Sequence, residues 1–142
     1  MDIFDGRKPA KKNASEGLKK YRHSPLQEKE ILHYQHRIND FFGRSKAYLQ
    51  PDFSLASLSE AVDIPKHHLS QIINSEMNST FYELVNAKRI EYAMLNMRER
   101  DNLTLEGLGY ECGFNSKSAF FSNFKKKTGK TPGQYKKEIS TN

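Results

Sequence analysis

Several things that would point to particular classes of protein are scarce in this chain of 142 residues. It has a single cysteine, Cys112, so no intrachain disulfide can staple it. It has no tryptophan. No apolar run approaches the roughly 18 residues that a membrane-crossing helix needs. Near the N-terminus, Lys and Arg are never followed by the apolar stretch of about 7–15 residues that marks a secretory signal. Glycine-rich phosphate loops, a Ser/His/Asp order and paired carboxylates in an expected cleft are missing too, so the chain is expected not to be an enzyme and to need no cofactor. His33 and His36 stand three apart and share a helix face, but no third metal ligand accompanies them, and the neighbours His67 and His68 are expected to point apart. No metal site is expected.

What the chain does carry is positive charge, 23 Lys and Arg against 17 Asp and Glu, for a net +6. That excess makes a polyanionic partner a natural candidate. Residues 1–24 hold seven basic and three acidic side chains, residues 25–103 nine and eleven, and residues 104–142 seven and three. The excess therefore lies at the two ends. At the start it coincides with Gly6, Pro9, Asn13 and Ser15 and few large apolar residues, which reads as a flexible basic arm over 1–24. Toward the end it is interleaved with aromatics, as on a folded surface.

From residue 26 onward apolar residues recur at three and four, with no sustained alternation, so the expected class is all-α. Ile31, Tyr34, Ile38, Phe41, Phe42, Tyr48 and Leu49 predict one first helix, ended by Pro51. Shorter helices are expected over 55–62 and 66–76, then a central one over about 79–98, then 105–112, 117–127 and 132–139. Ser54, Thr104 and Thr131 are expected N-caps, each contributing on the order of 1 kcal/mol, and Pro65 and Pro132 suit first helical positions. The expected organisation is an arm over 1–24, an N-terminal helix and linker over 25–50, a first helix-turn-helix over 51–78, a connecting helix over 79–100 and a second helix-turn-helix over 101–142.

The two bihelical segments are copies. Leu55, Leu58 and Val62 align with Leu105, Leu108 and Cys112 at an offset of 50, and Ile64 with Phe114. One inserted residue later, Leu69, Ile73 and Asn78 align with Phe120, Phe124 and Gly129 at an offset of 51. Each first helix buries its leucines, Ile64 or Phe114 plugs the corner, and each second helix buries one stripe and leaves its other face open. Asn78 and Gly129 fall where the second helix stops, and both residue types tolerate positive φ. Gly109 is expected at a close approach of two helices. Gly107 has no such use and should cost about 1 kcal/mol relative to alanine. Cys112, on an apolar repeat position, is expected to be a buried structural thiol.

Tandem helix-turn-helix units joined by a helix about 30 Å long suit successive major grooves, which repeat about every 34 Å of B-DNA. The residues that carry a more specific resemblance are Gly113-Phe114, the pair Phe120-Phe121, Phe124-Lys125, and Gly129-Lys130-Thr131-Pro132-Gly133-Gln134-Tyr135. With Ile64-Pro65-Lys66-His67-His68-Leu69-Ser70-Gln71 and Asn86-Ala87-Lys88-Arg89-Ile90-Glu91-Tyr92-Ala93, they make residues 50–138 resemble the DNA-binding domain of the AraC/XylS family of bacterial transcription regulators. The resemblance implies a seven-helix domain that binds double-stranded promoter or operator DNA as an activator or repressor, in the cytoplasm at the nucleoid, with RNA polymerase as a further partner. It also implies a sensing or dimerising region elsewhere in a longer chain. Lys19, Lys20, Tyr21 and Arg22 would fit a juxtamembrane stretch of a membrane-anchored regulator.

By position, the resemblance assigns base reading to Lys66, His67, Ser70, Gln71 and Asn74 in the first unit, and to Ser116, Lys117, Ser118, Phe121 and Ser122 in the second. The chemistry agrees. Gln71 and Asn74 suit adenine edges, Lys66 and Lys117 suit guanine, serine suits either, and Phe121 suits thymine methyls. Lys125, Lys126, Lys127 and Lys130 suit phosphates, which position a protein without reading sequence, although a lysine run is also what a solvated face looks like. Arg89 is expected to touch phosphate or to pair with a carboxylate such as Glu60 or Glu91. The alternative from another class is a helical protein-interaction module that keeps this fold and has lost DNA binding, which would show an exposed apolar cluster on those faces.

Overall fold

The computed structural model describes residues 26–141, and within them every regular element is helical. The arm over 1–24 and the basic stretch around Tyr21 lie outside the described residues. The helices are α1 (Glu28–Arg44), α2 (Leu55–Val62), α3 (Lys66–Glu76), α4 (Phe81–Glu99), α5 (Leu105–Glu111), α6 (Lys117–Thr128) and α7 (Pro132–Ser140), with a 3-10 turn at Ala47–Leu49 between α1 and α2. The chain forms two compact units. The first holds the described residues up to Arg44 together with Ser54–Phe81, and the second holds Ser45–Phe53 and everything described from Tyr82 onward.

In the first unit α1 buries Ile31, Ile38 and Phe42, a single stripe, against α2 and α3. The expected continuation of that helix to Pro51 does not occur. Helix α1 stops at Arg44, where the hydroxyl of Ser45 accepts the Ala47 N–H (3.1 Å) and starts a separate turn. Tyr48, placed by its spacing on the α1 stripe, is instead buried in the second unit. Helix α2 begins in a capping box between Ser54 and Ser57 and ends at Asp63, whose φ of 56° is left-handed. Two of its terminal carbonyls, those of Val62 and Asp63, accept from the Arg37 guanidinium of α1, the latter at 2.9 Å. These would otherwise be orphan acceptors of a helix end. Ile64 plugs the corner, and Leu58, Leu69, Ile72 and Ile73 complete a fully buried core. Pro65 stands just before the first residue of α3, not within its first turn.

The second unit is built on Ile90, Ala93 and Met97 of α4, Leu108 and Cys112, Phe114, Phe120 and Phe124 of the second bihelical segment, and Tyr135 of α7. Its rings meet edge-on, Phe120 to Phe124 at 5.9 Å and Phe124 to Tyr135 at 5.5 Å between centroids, the arrangement that aromatic quadrupoles favour. Gly109 is the close approach expected of it, because a Cβ there would come within 2.8 Å of the Phe120 side chain. Gly107 also has a use. Its N–H donates to Thr104 Oγ1 at 3.0 Å, and a Cβ would sit 2.7 Å from that capping oxygen. Thr104, Ser116 and Thr131 cap α5, α6 and α7, and Pro132 occupies the first turn of α7.

Arg89 holds the strap between α1 and α2 onto α4. Its Nε donates to the Tyr48 carbonyl and Nη2 to that of Gln50, both at 2.7 Å, with Asn86 Oδ1 at 3.5 Å. The guanidinium also lies 5.8 Å from the centre of the Phe114 ring. The expected carboxylate partner is replaced by backbone carbonyls, and burial lowers the pKa of the side chain. The thiol of Cys112 is buried as expected, and the same desolvation pushes it up to about 12.

The repeat extends to the backbone. Asp63 and Gly113, aligned at an offset of 50, both adopt positive φ (56° and 102°), and so do Asn78 and Gly129 at an offset of 51 (51° and 81°). Each unit therefore reverses the chain at equivalent points. The inserted residue falls between them, so α3 starts after Pro65 while α6 starts after Asn115 and the capping Ser116.

Candidate nucleic-acid interface

Within the first unit, α3 buries Leu69, Ile72 and Ile73 and leaves Lys66, His67 and Asn74 exposed, with Ser70 half-buried between them. Lys66, Ser70 and Asn74 follow at intervals of four, so they stack along one side of the helix with His67 beside them. No acidic side chain interrupts this face. Four of the five residues assigned to base reading in this unit are thus brought together.

Gln71 is the correction. It is 0% exposed, and neither Oε1 nor Nε2 has a hydrogen-bond partner. The cause is the packing of α1. His68, three residues earlier on α3, faces the Tyr34 ring of α1 at 6.2 Å, so the flank that carries both His68 and Gln71 is the one α1 covers. Gln71 does not belong to the exposed face. Nor do His67 and His68 point apart, since their ring centroids lie 4.2 Å from each other.

Within the second unit, α6 buries Phe120 and Phe124 and exposes Lys117, Ser118, Ser122, Lys125 and Lys126. Ser116, expected on the reading face, is the N-cap, and its oxygen accepts the Ala119 N–H at 3.0 Å. It stands immediately before its helix, as Ser54, Thr104 and Thr131 do before theirs, so this role is legible in the spacing. Phe121 is half-buried. Its ring packs 5.8 Å from that of Phe120, and the ammonium of Lys117 stands 5.3 Å from its centroid.

The four lysines proposed for phosphates differ in their surroundings. Lys125 has no carboxylate partner among the described residues. Lys126 lies 3.8 Å from Glu83 and Lys127 3.4 Å from Glu91, both glutamates on α4, and Lys130 pairs with Glu138 of α7. Such exposed pairs contribute at most about 1 kcal/mol and yield readily to a denser anion. Among the described residues, no group of three or more His, Cys, Asp and Glu side chains is arranged to hold a metal, and no helix is long and apolar enough to cross a membrane.

Residues 58–138 match the helix-turn-helix domain family. An uncharacterized HTH-type transcriptional regulator of Staphylococcus aureus (strain COL) is 31% identical over 100 residues, which is 70% of this chain and 13% of that protein. The chain thus spans about an eighth of the length of that relative. Among solved structures, the C-terminal domain of the two-component response regulator yesN of Fusobacterium nucleatum superposes with a TM-score of 0.60 at 26% identity, covering 73% of this chain and 98% of that one. The DNA-binding domain of the global transcriptional factor AdpA, solved in complex with a target DNA, shares the fold at a TM-score of 0.61 and 16% identity, covering 76% of this chain and 93% of that one. The duplicated bihelical segment and these likenesses agree: the chain belongs to the AraC-type helix-turn-helix family of DNA-binding transcription regulators.

Proposed function

We propose that α3 and α6 are both recognition helices, each laid in a major groove of promoter DNA, the two grooves being successive ones on the same duplex. Bases are read by Lys66, His67, Ser70 and Asn74 in the first unit and by Lys117, Ser118, Phe121 and Ser122 in the second. Lys125 and Lys126 meet phosphates, with Lys126 leaving Glu83 to do so. The observation that carries this reading is the chemistry of the two exposed faces, which bear ammonium, imidazole, hydroxyl and amide groups and no carboxylate. A protein-docking face would show apolar bulk there instead. Among the described residues the large exposed apolar ones are Leu32, Tyr82, Leu95 and Tyr110, and none lies on α3 or α6. AdpA, the neighbour solved on DNA, lends the fold-level parallel. On this reading the chain acts with chromosomal DNA in the cytoplasm and regulates transcription through RNA polymerase.

The test is selection of bound fragments from random duplex, followed by affinity measurements at two salt concentrations. Asn74→Ala should relax base choice in one segment of the site and Lys117→Ala in another, about a helical turn away. Lys126→Ala should weaken binding to all sequences alike and reduce the salt slope by about one unit. If every substitution behaved like Lys126→Ala, the base readers would be misassigned.

A further inference from the structure

The exposed face of α6 has a feature that α3 lacks. Phe121 sits between Lys117 and Lys125, four residues from each, so cation, ring and cation follow one another along the groove side of the helix. The ring is not free to leave. It packs against the core of the second unit and meets Phe120 at an interplanar angle of 74°. From that fixed ring the Lys117 ammonium stands 5.3 Å away, close enough for a cation–π contact. At the equivalent position of the first unit, offset by 51, stands Ser70.

We propose that Lys117 and Phe121 act as one composite reader of a two-base-pair step, a guanine beside a pyrimidine that carries a 5-methyl group. This rests on the DNA reading above and sharpens it for the second unit. The ammonium donates to guanine O6 and N7, and the apolar ring receives the methyl group, both of which face the major groove. Two residues four apart are separated by about 6 Å along a helix, against about 3.4 Å between stacked bases. The flexible lysine stem closes that difference, so the two side chains fall on neighbouring pairs. Because the ring already restrains the ammonium, less side-chain freedom is lost on binding than for an unrestrained lysine. Thymine and 5-methylcytosine present the same methyl group at the same place. A cytosine at this position therefore binds poorly when unmodified and well when methylated, which makes the second unit sensitive to cytosine methylation.

The duplex preferred by the chain, recovered by selection from random sequence, is remade with each thymine replaced in turn by deoxyuridine, which removes only the methyl group. One thymine beside a guanine should lose about fourfold in affinity, the worth of one buried methyl. Exchanging that pair for cytosine·guanine should weaken binding, and 5-methylcytosine in the same place should restore it. With 7-deazaguanine at the neighbouring guanine, affinity should fall for the wild-type chain and not fall further for Lys117→Met, which keeps the stem and removes the donor. Phe121→Ser, which installs the residue of the equivalent position, should bind the thymine and deoxyuridine duplexes alike, with its fold checked by circular dichroism. The first comparisons alter only the DNA, so they stand even if that variant unfolds. The inference is overturned if no thymine shows the effect, if the sensitive thymine has no guanine neighbour, or if a folded Phe121→Ser retains the discrimination. Failure to recover any preferred duplex would overturn the DNA reading itself, whereas a preferred duplex indifferent to its methyl groups would overturn the composite reader alone.

Discussion

Replacing Gln71 by leucine should make the first unit more stable. The side chain is completely buried, and both polar atoms of its amide lack a partner. Leaving a buried polar group unsatisfied costs about 1–3 kcal/mol. Leucine fills a similar volume, keeps the helix propensity of the position and adds apolar surface to a core that already holds Leu69, Ile72 and Ile73. Against this stands a repacking cost for the branched shape, usually below about 1.5 kcal/mol. The net expectation is a gain of about 1–2 kcal/mol. Gln71→Ala is the control, because it removes the same amide but leaves a void, and the void should cancel the gain or reverse it. The measurement is urea unfolding together with amide hydrogen exchange along α3, since two units need not unfold in one transition. Leucine lowering the stability of α3 would refute the argument, by showing that the amide has a partner in solution. Specific DNA binding should stay within about twofold of wild type. A much larger loss would return Gln71 to the reading face.

Further expectations concern the second unit. Gly109→Ala should destabilise it by about 1–3 kcal/mol despite alanine's better helix propensity, because the added Cβ meets Phe120; a urea midpoint at or above that of wild type would contradict this. Arg89→Met should cost about 2–4 kcal/mol by stripping the Tyr48 and Gln50 carbonyls of their donor. Hydrogen exchange should accelerate first around the 3-10 turn, and unchanged protection there would show that Arg89 is not what holds the strap. Cys112 gives the pH dependence. Its folded pKa is raised from 9.0 to about 12, so its contribution to stability is complete below 9 and is lost as the pH rises toward 12, while the unfolded thiol ionises and the folded one does not. Alkylation at pH 8 should accordingly be slow in the folded chain and fast in urea, and equal rates would mean the thiol is accessible.

The repeat was legible because its signals are local. The spacing of Leu55, Leu58 and Val62, repeated as Leu105, Leu108 and Cys112, gives each short helix its apolar stripe, and Ser54, Thr104 and Thr131 mark starts by a hydrogen bond spanning three residues. The left-handed stops at Asn78 and Gly129 follow from the tolerance of two residue types for positive φ. The left-handed stop at Asp63 is less legible because aspartate adopts that conformation less often than glycine, and its one signal is the alignment with Gly113. The candidate reading faces were legible to the same extent, since the residues opposite a buried stripe are exposed unless something else covers them.

That last condition marks the division. The sequence alone determined an all-helical duplicated domain with basic and polar second helices, because periodicity, capping and chain reversal are properties of a few consecutive residues. Only the tertiary structure decided that α1 ends at Arg44 and hands Tyr48 to the other unit, that Arg89 spends its charge on two carbonyls, and that α1 covers Gln71 while Ser122, its counterpart in the repeat, stays exposed. Each of these depends on which distant segment packs against a given flank, and a helix offers its flanks to solvent and to neighbours with the same local geometry.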